Sequence, residues 1–201
     1  MRIVVADKTF HDKNVGLRVA KAINAALESE DLSGFDWFLR VDGDVILSPD
    51  WIERSVASDA DVIGRGGYSL LVRMKAFAAI GYRFPVFEKE DSMLVLKLQS
   101  LGFKAIPYVV KPKFLREPGR GTDRSLQTFF RNGVWSWQMG YEPVHLVYQY
   151  ASAVWIRRNP RYLLGMFGYV YGALAGKKKW DEDVARFVRS HQLRYLGKIA
   201  R

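Results

Sequence analysis

The sequence contains no cysteine, and histidine occurs only three times among its 201 residues. The first absence excludes disulfides, thiolate metal sites and cysteine nucleophiles. The three histidines, His11, His145 and His191, do not have the spacing of a zinc site. Any metal must therefore be held mainly by carboxylate oxygens, which favour a hard cation such as Mg²⁺ or Mn²⁺.

An apolar run long enough to cross a bilayer is also lacking. The stretch from Tyr162 to Gly176 has 15 residues without a charge, fewer than the roughly 20 that a spanning helix needs. It lies between "RRNPR" and "KKK", which is typical of a segment at a membrane interface. The opening "MRIVVADKTF" lacks the features of a signal peptide, so we expect a cytoplasmic protein.

The composition is that of a folded chain, with 49% hydrophobic and 14% aromatic residues. Its charge is uneven. Residues 104–201 carry 18 Lys and Arg against 6 Asp and Glu, whereas residues 1–103 carry 13 against 15. The strongly basic second half predicts an anionic partner, such as a phosphate ligand, an anionic lipid surface or nucleic acid.

Strands and helices alternate in the first half of the chain. Met1–Ala6 is predicted as a strand, residues 15–30 as a helix capped by Asn14 or Asp12, and "FDWFLRV" as a second strand. "EKEDSMLVLKLQSLG" has the apolar spacing of an amphipathic helix, and "FKAIPYVV" is predicted as a strand. This alternation predicts an α/β fold with a mostly parallel sheet flanked by helices.

The segment "VDGDV" allows two interpretations. Asp-Gly between apolar runs is typical of a hairpin turn. Alternatively, Asp42 and Asp44 follow the carboxyl end of a parallel strand, where two carboxylates can hold a cation on a diphosphate. Ser48 as N-cap and Pro49 as the first helical residue would leave the second hairpin strand very short, which favours the metal site.

A second acidic pair, Glu90 and Asp91, begins the predicted amphipathic helix. Carboxylates in a first helical turn interact favourably with the helix dipole and need no other purpose. A carboxylate there can equally act as a general base towards a hydroxyl, provided that it faces the same cleft as the first pair.

Together, these motifs resemble those of a known enzyme family. "FDWFLRVDGDVILSPDWIERSV" followed by "GGYSLLVRMKAFAAIGYRFPVFEKEDSMLVLKLQSLGFKAIPY" resembles the family 2 glycosyltransferases, which are inverting enzymes with a Rossmann-like GT-A fold. A D-x-D motif after a strand, a helix start, an "iG" turn and an E-D pair occur in that order over roughly residues 3–108. The resemblance implies transfer of a sugar from a nucleotide-diphosphate sugar, with Mg²⁺ or Mn²⁺ as cofactor.

The resemblance also implies roles for individual residues. Asp44 would bind the cation, and Asp42 would bind the cation or the donor. Asp91 would accept the proton of the attacking hydroxyl, and Glu90 would help to position the acceptor. In "NVGLRVAKAIN", which is similar to a segment beside the nucleotide in the family, the predicted donor contacts are Arg18, Lys21 and Asn24, with a solvated helix face as the alternative.

The family's pattern begins with a strand-helix-strand unit that is not found before the matched segment. We therefore expect an N-terminally truncated GT-A-like core over residues 1–110, a basic loop over 111–126 and a basic, aromatic-rich helical region over 127–201. A degenerate remnant that binds a membrane or a partner without catalysis is the alternative.

The basic half predicts the partners. Arg116 and Arg120 in the loop are predicted to bind the donor diphosphate, with a solvated connector as the alternative. Tryptophan, tyrosine and arginine over residues 141–180 predict a peripheral contact with the cytoplasmic membrane face, and core packing is the competing explanation. The predicted acceptor is lipid-linked or a polyprenyl phosphate, and nucleic acid is not an expected partner.

Overall fold

A computed structural model describes residue 11 and residues 14–65, 68–115 and 125–199 of the chain. The chain divides into two units, Met1–Pro118 and Gly119–Arg201, and each is described by itself. The predicted first strand, Met1–Ala6, lies outside the described residues. The finer division into residues 1–110, 111–126 and 127–201 stays a prediction.

The first unit alternates short strands with helices. Its helices are α1 (Val15–Leu27), α2 (Trp51–Val56), α3 (Met74–Ala78) and α4 (Glu90–Ser100). Its strands are β1 (Trp37–Val41), β2 (Val45–Ile46), β3 (Val62–Arg65), β4 (Ser69–Arg73), β5 (Ala105–Ile106) and β6 (Lys113–Phe114). The predicted cap of α1 is confirmed for Asn14, whose Oδ1 accepts from the Leu17 amide at 3.3 Å.

The main sheet is mixed, so the prediction of a mostly parallel sheet is wrong for the described strands. Its order is β1-β4-β3-β5, where β4 runs antiparallel to both β1 and β3, and β3 pairs in parallel with β5. Only residues 66–68 connect β3 to β4. A connection that short joins antiparallel strands, because a parallel crossover needs a dozen or more residues.

The two faces of this sheet bury different cores. Alternate residues of a strand point to opposite faces. Leu70 and Val72 of β4 accordingly pack in one cluster with residues of α1, α3 and α4, while Leu71 packs in the other with Trp51 of α2. Trp51 is fully buried and donates its indole N–H to the Val110 carbonyl at 2.8 Å. Helices therefore cover both faces, as in an α/β fold.

The second unit is helical over its described residues. It contains α5 (Leu126–Gln138), α6 (Pro143–Arg157), a 3₁₀ turn (Pro160–Tyr162), α7 (Leu163–Leu174) and α8 (Glu182–Ile199). Among the described residues, no helix has both the length and the apolar character that crossing a membrane requires.

Glycines explain how α5 and α7 pack. Gly133 of α5 lies directly against the Gly165 carbonyl of α7, and Gly168 of α7 lies against the Phe130 carbonyl of α5. Small residues at such positions let two helix backbones approach closely. Glycine lowers helix propensity, but at Gly168 the close packing of α7 against α5 requires a residue without a side chain.

We predict that Gly168→Ala and Gly172→Ala differ sharply in stability. Both gain up to about 1 kcal/mol of helix propensity. A methyl group on Gly168 would overlap the backbone carbonyl of Phe130, whereas one on Gly172 would lie 3.0 Å from the Trp137 side chain. Gly168→Ala should therefore lower the free energy of unfolding by about 2 kcal/mol.

Urea unfolding followed by helix circular dichroism measures both variants, with Gly172→Ala as the matched control on the same helix. Gly172→Ala should be close to neutral. Equal effects of the two substitutions would contradict the described α5–α7 interface.

Candidate active site

The Asp42-Gly43-Asp44 segment forms a tight turn but not a hairpin. The Val45 amide donates to the Asp42 carbonyl at 3.1 Å, which closes the turn. The strands on either side do not pair with each other: β1 pairs with β4, and β2 pairs with β6. The turn thus carries the chain out of the main sheet, at the carboxyl end of β1. The β6 partner also shows that the segment predicted as a basic loop contains a short strand.

The helix after this turn begins later than predicted. α2 starts at Trp51 with Asp50 as N-cap, and the Ser48 hydroxyl donates to Asp50 Oδ1 at 2.6 Å instead of capping the helix. The proposed helical start at Pro49 is therefore wrong by two residues. The absence of a β1–β2 hairpin is established by strand pairing and does not depend on this helix start.

Arg40 joins the two predicted acidic pairs. Its Nη1 lies 2.9 Å from Glu90 Oε1, and its Nη2 lies 3.3 Å from Asp42 Oδ1. The side chains of Arg40 and Glu90 are 13% and 7% exposed, and that of Asp42 is 32% exposed. One guanidinium group therefore holds the turn after β1 next to the first turn of α4, fifty residues later in the chain.

Arg40 was not among the residues predicted from sequence, although the sequence carries a pattern that points to it. It is a charged residue inside the apolar run of a strand, and it lies two positions before Asp42. Residues two apart in a strand share a face, so Arg40 and Asp42 are placed side by side by the strand itself.

Glu90 is a buried acid whose ionised form is only partly compensated. Burial raises the pKa of its carboxyl above the usual value, the negative charge of Asp91 raises it further, and the Arg40 guanidinium acts in the opposite direction. Its surroundings are tightly packed, because a Cβ on Gly16 of α1 would lie 2.7 Å from Glu90 Oε2. Glu90 is thus the counter-ion of Arg40, and its predicted role towards an acceptor stays a prediction.

Asp91 is the more accessible member of the second pair. It is half-buried, and its Oδ1 accepts from the Ser92 amide at 2.6 Å. The neighbouring Lys89 is affected by the same site: burial lowers the pKa of its ammonium group, and the charges of Asp91 and Glu88 oppose that shift. The first turn of α4 therefore presents one buried and one accessible carboxylate.

Asp44 is half-buried, and within the described part of the chain no hydrogen bond or ion pair is made by its carboxylate. Its backbone carbonyl accepts from the Leu115 amide at 2.9 Å, which fixes the turn from the β6 side. The described residues contain no group of three or more His, Asp or Glu side chains that could hold a metal. Asp42 and Asp44 could therefore supply at most two carboxylate ligands to a cation. The remaining ligands would have to come from phosphate and water, as is common for Mg²⁺.

The three predicted donor contacts on α1 have different surroundings. Arg18 is exposed and Lys21 is half-buried. The Asn24 side chain instead binds the Phe84 backbone twice, donating to its carbonyl at 2.9 Å and accepting from its amide at 2.7 Å. Asn24 therefore ties α1 to the segment that leads into α4, which is a structural role. Arg116 and Arg120 lie outside the described residues.

Comparison with known proteins adds little. No protein-family model matches the sequence, and no curated protein matches it. Among solved structures, the chain is similar to a mannosyltransferase, PcManGT from Pyrobaculum calidifontis, in complex with GDP-Man and Mn2+. The identity is 16%, the TM-score is 0.43, and the match covers 89% of this chain. This chain spans about half of that structure, 54% of its length. A likeness of this size carries no argument about activity.

We predict that Arg40→Met destabilises the first unit by roughly 3 kcal/mol, because it leaves the buried Glu90 carboxylate without its cation. Arg83→Met is the matched control. Arg83 also lies 2.9 Å from a glutamate oxygen, that of Glu28, but the two side chains are 65% and 49% exposed. Breaking an exposed pair should cost less than about 1 kcal/mol. Urea unfolding of both variants measures the difference, and equal losses would show that Arg40–Glu90 is not a buried pair.

The raised pKa of Glu90 predicts a pH dependence of stability. A carboxyl with a higher pKa in the folded state binds its proton more tightly there than in the unfolded chain. Its contribution is thus fully present below the unfolded-state pKa and is lost as the pH rises through the folded-state pKa. We expect the stability of the wild type relative to Glu90→Gln to fall from acidic to neutral pH. A relative stability that rises over the same range would mean that the Arg40 guanidinium outweighs burial and holds the pKa of Glu90 below its usual value.

Proposed function

We propose that this chain is the core of a nucleotide-sugar glycosyltransferase that inverts the configuration of the transferred sugar. The observation that carries the proposal is the bridge from Arg40 to both Glu90 and Asp42, which holds the two acidic motifs in one place. The ordered resemblance to the family 2 glycosyltransferases supports it, because those are the motifs on which the resemblance depends.

Asp42 and Asp44 fit a divalent cation shared with a diphosphate. Two carboxylates with free coordination positions are what Mg²⁺ or Mn²⁺ needs in such sites. Asp42 and Asp44 would hold such a cation, which would supply positive charge to offset the negative charge of the departing nucleoside diphosphate. Arg40 keeps Asp42 oriented, and the turn hydrogen bond from the Val45 amide fixes the spacing between the two aspartates. Arg18, Lys21, Asn24, Arg116 and Arg120 remain proposed donor contacts.

Asp91 is the proposed general base. It would accept the proton of an acceptor hydroxyl while that oxygen forms a bond to the anomeric carbon of the sugar. The bond from the anomeric carbon to the diphosphate breaks on the opposite face, and the nucleoside diphosphate leaves with the electron pair. Glu90 cannot exchange roles with Asp91 easily, because its carboxylate is buried against Arg40.

For the acceptor, we propose a lipid-linked sugar or polyprenyl phosphate at the cytoplasmic membrane face. The second unit supports this, because large apolar side chains on it are strongly exposed: Trp155 is 85%, Ile156 76% and Leu174 84% exposed. Basic residues flank them in the sequence, including Arg157, Arg158 and 177–179. Exposed apolar and cationic groups together are typical of a peripheral membrane contact.

The proposal predicts cation-dependent sugar transfer that needs Asp44 and Asp91. Asp91→Asn should lower the rate by about 10² or more, since it removes the general base. Asp44→Asn should abolish the transfer that Mn²⁺ supports, because it removes a proposed ligand of the cation. Asp59→Asn is the matched control, because Asp59 is a fully exposed carboxylate whose partner is Lys104.

The measurement is transfer from radiolabelled nucleotide sugars with Mn²⁺, made with this chain and with the longest natural protein that contains it. Transfer that survives both Asp44→Asn and Asp91→Asn would exclude the mechanism. No transfer by either protein, together with no cation-dependent binding of nucleoside diphosphates, would favour a non-catalytic remnant.

A further inference from the structure

The second unit contains a groove that the proposed sugar transfer does not use. It lies between α6 and α8, is also lined by Tyr162 of the 3₁₀ turn, and has a volume of about 730 Å³. That volume is within the range of pockets that bind small molecules. The lining is aromatic and polar, and it includes His145, Tyr148, Arg157, Tyr162, His191 and Gln192.

The charge of the lining favours an anion. Among the described residues that line the groove, none is acidic and Arg157 is cationic, while the imidazole rings of His145 and His191 can supply N–H donors. The Glu142 carboxylate, whose charge acts on His145, caps α6 by accepting from the Val144 amide at 2.6 Å and the His145 amide at 3.2 Å. Arg157 is thus the charged side chain among the described lining residues.

Two contacts with Tyr162 hold the Arg157 side chain in place. Its Nη1 donates to the Tyr162 hydroxyl at 2.7 Å, and its guanidinium lies 5.5 Å from the centre of the same ring. A cation over an aromatic face is stabilised by the ring quadrupole. The other guanidinium N–H groups stay available, and they match phosphate oxygens in a fork geometry.

An apolar rim adjoins this cation. Ile156 lines the groove and is 76% exposed, and the preceding Trp155 is 85% exposed. A soluble anion would use Arg157 and the histidines but would leave these two side chains in water. An anion attached to a hydrocarbon chain would use both sets, as would a membrane surface with anionic headgroups.

We propose that the groove binds the phosphate-bearing headgroup of an anionic membrane lipid, with Trp155 and Ile156 against the hydrocarbon beside it. This rests on the membrane contact proposed above and adds a specific site to it. It does not rest on sugar transfer, so a failure of the transferase mechanism would leave it standing.

The test compares two arginines that lie close in sequence. Arg157→Gln and Arg161→Gln remove the same charge, but only Arg157 lines the groove. General attraction to an anionic surface is worth about fivefold in affinity per basic residue, and this is the loss expected for Arg161→Gln. Loss of a charge-assisted hydrogen bond to a bound phosphate should weaken binding by roughly ten- to a hundredfold for Arg157→Gln.

Binding of the full chain is measured by sedimentation with phosphatidylcholine vesicles, with and without phosphatidylglycerol. Ser152→Phe, which places a ring in the groove without changing charge, should also weaken binding to the anionic vesicles. Circular dichroism confirms that each variant is folded.

The outcomes separate the explanations. Stronger loss for Arg157→Gln and Ser152→Phe than for Arg161→Gln is the expected result. Equal losses for the two arginine variants, with Ser152→Phe unaffected, would exclude the groove while leaving the membrane contact. No binding to anionic vesicles would exclude both. Binding of glycerol phosphate as tight as that of the vesicles would show that the groove takes a soluble anion.

Discussion

The contact between the Arg40 guanidinium and the Glu90 carboxylate is the interaction on which the proposed site depends. Removing two charges from water costs several kcal/mol for each ion, so a buried pair adds little to stability by itself. The main effect of the Arg40–Glu90 pair is to fix the positions of two segments relative to each other. Arg40 reaches Glu90 at 2.9 Å and Asp42 at 3.3 Å, and so couples a turn at the sheet edge to the start of α4. Without that coupling, Asp42 and Asp91 would belong to two independent surface features.

The packing of α1 helps to hold Glu90 and the start of α4 in position. α1 is tied to the segment before α4 by the two hydrogen bonds between Asn24 and the Phe84 backbone, and Gly16 allows α1 to lie directly against Glu88 and Glu90. Phe84 is itself buried, and the Arg40 guanidinium lies 5.9 Å from the centre of its ring. Asn24, which the resemblance associates with the donor, thus binds the backbone of the segment that leads into α4.

Local patterns in the sequence predicted the local structure, and they failed where partners are distant. The 3.6-residue spacing and Asn14 predicted α1, and the same spacing predicted α4. The two acidic pairs were recognised because the members of each pair are adjacent or one position apart in the sequence. Arg40 was missed because its partner Glu90 is fifty residues away, and strand direction was missed because β1 pairs with β4, which is distant from it in the sequence. In the second unit, Gly133 of α5 and Gly168 of α7 allow a close approach of two helices that are distant in the sequence, and local patterns did not predict it.

The central claim is that the Asp42 turn and the start of α4 form one cation-dependent site. Paramagnetic broadening of backbone amide resonances by Mn²⁺ tests it most directly, because the effect depends on distance from the bound ion. Substoichiometric Mn²⁺ should broaden the amides of 42–45 and of 90–92 together, and Asp44→Asn should abolish both effects. Broadening confined to one of these segments, or centred on exposed acids elsewhere such as Asp59, would contradict it.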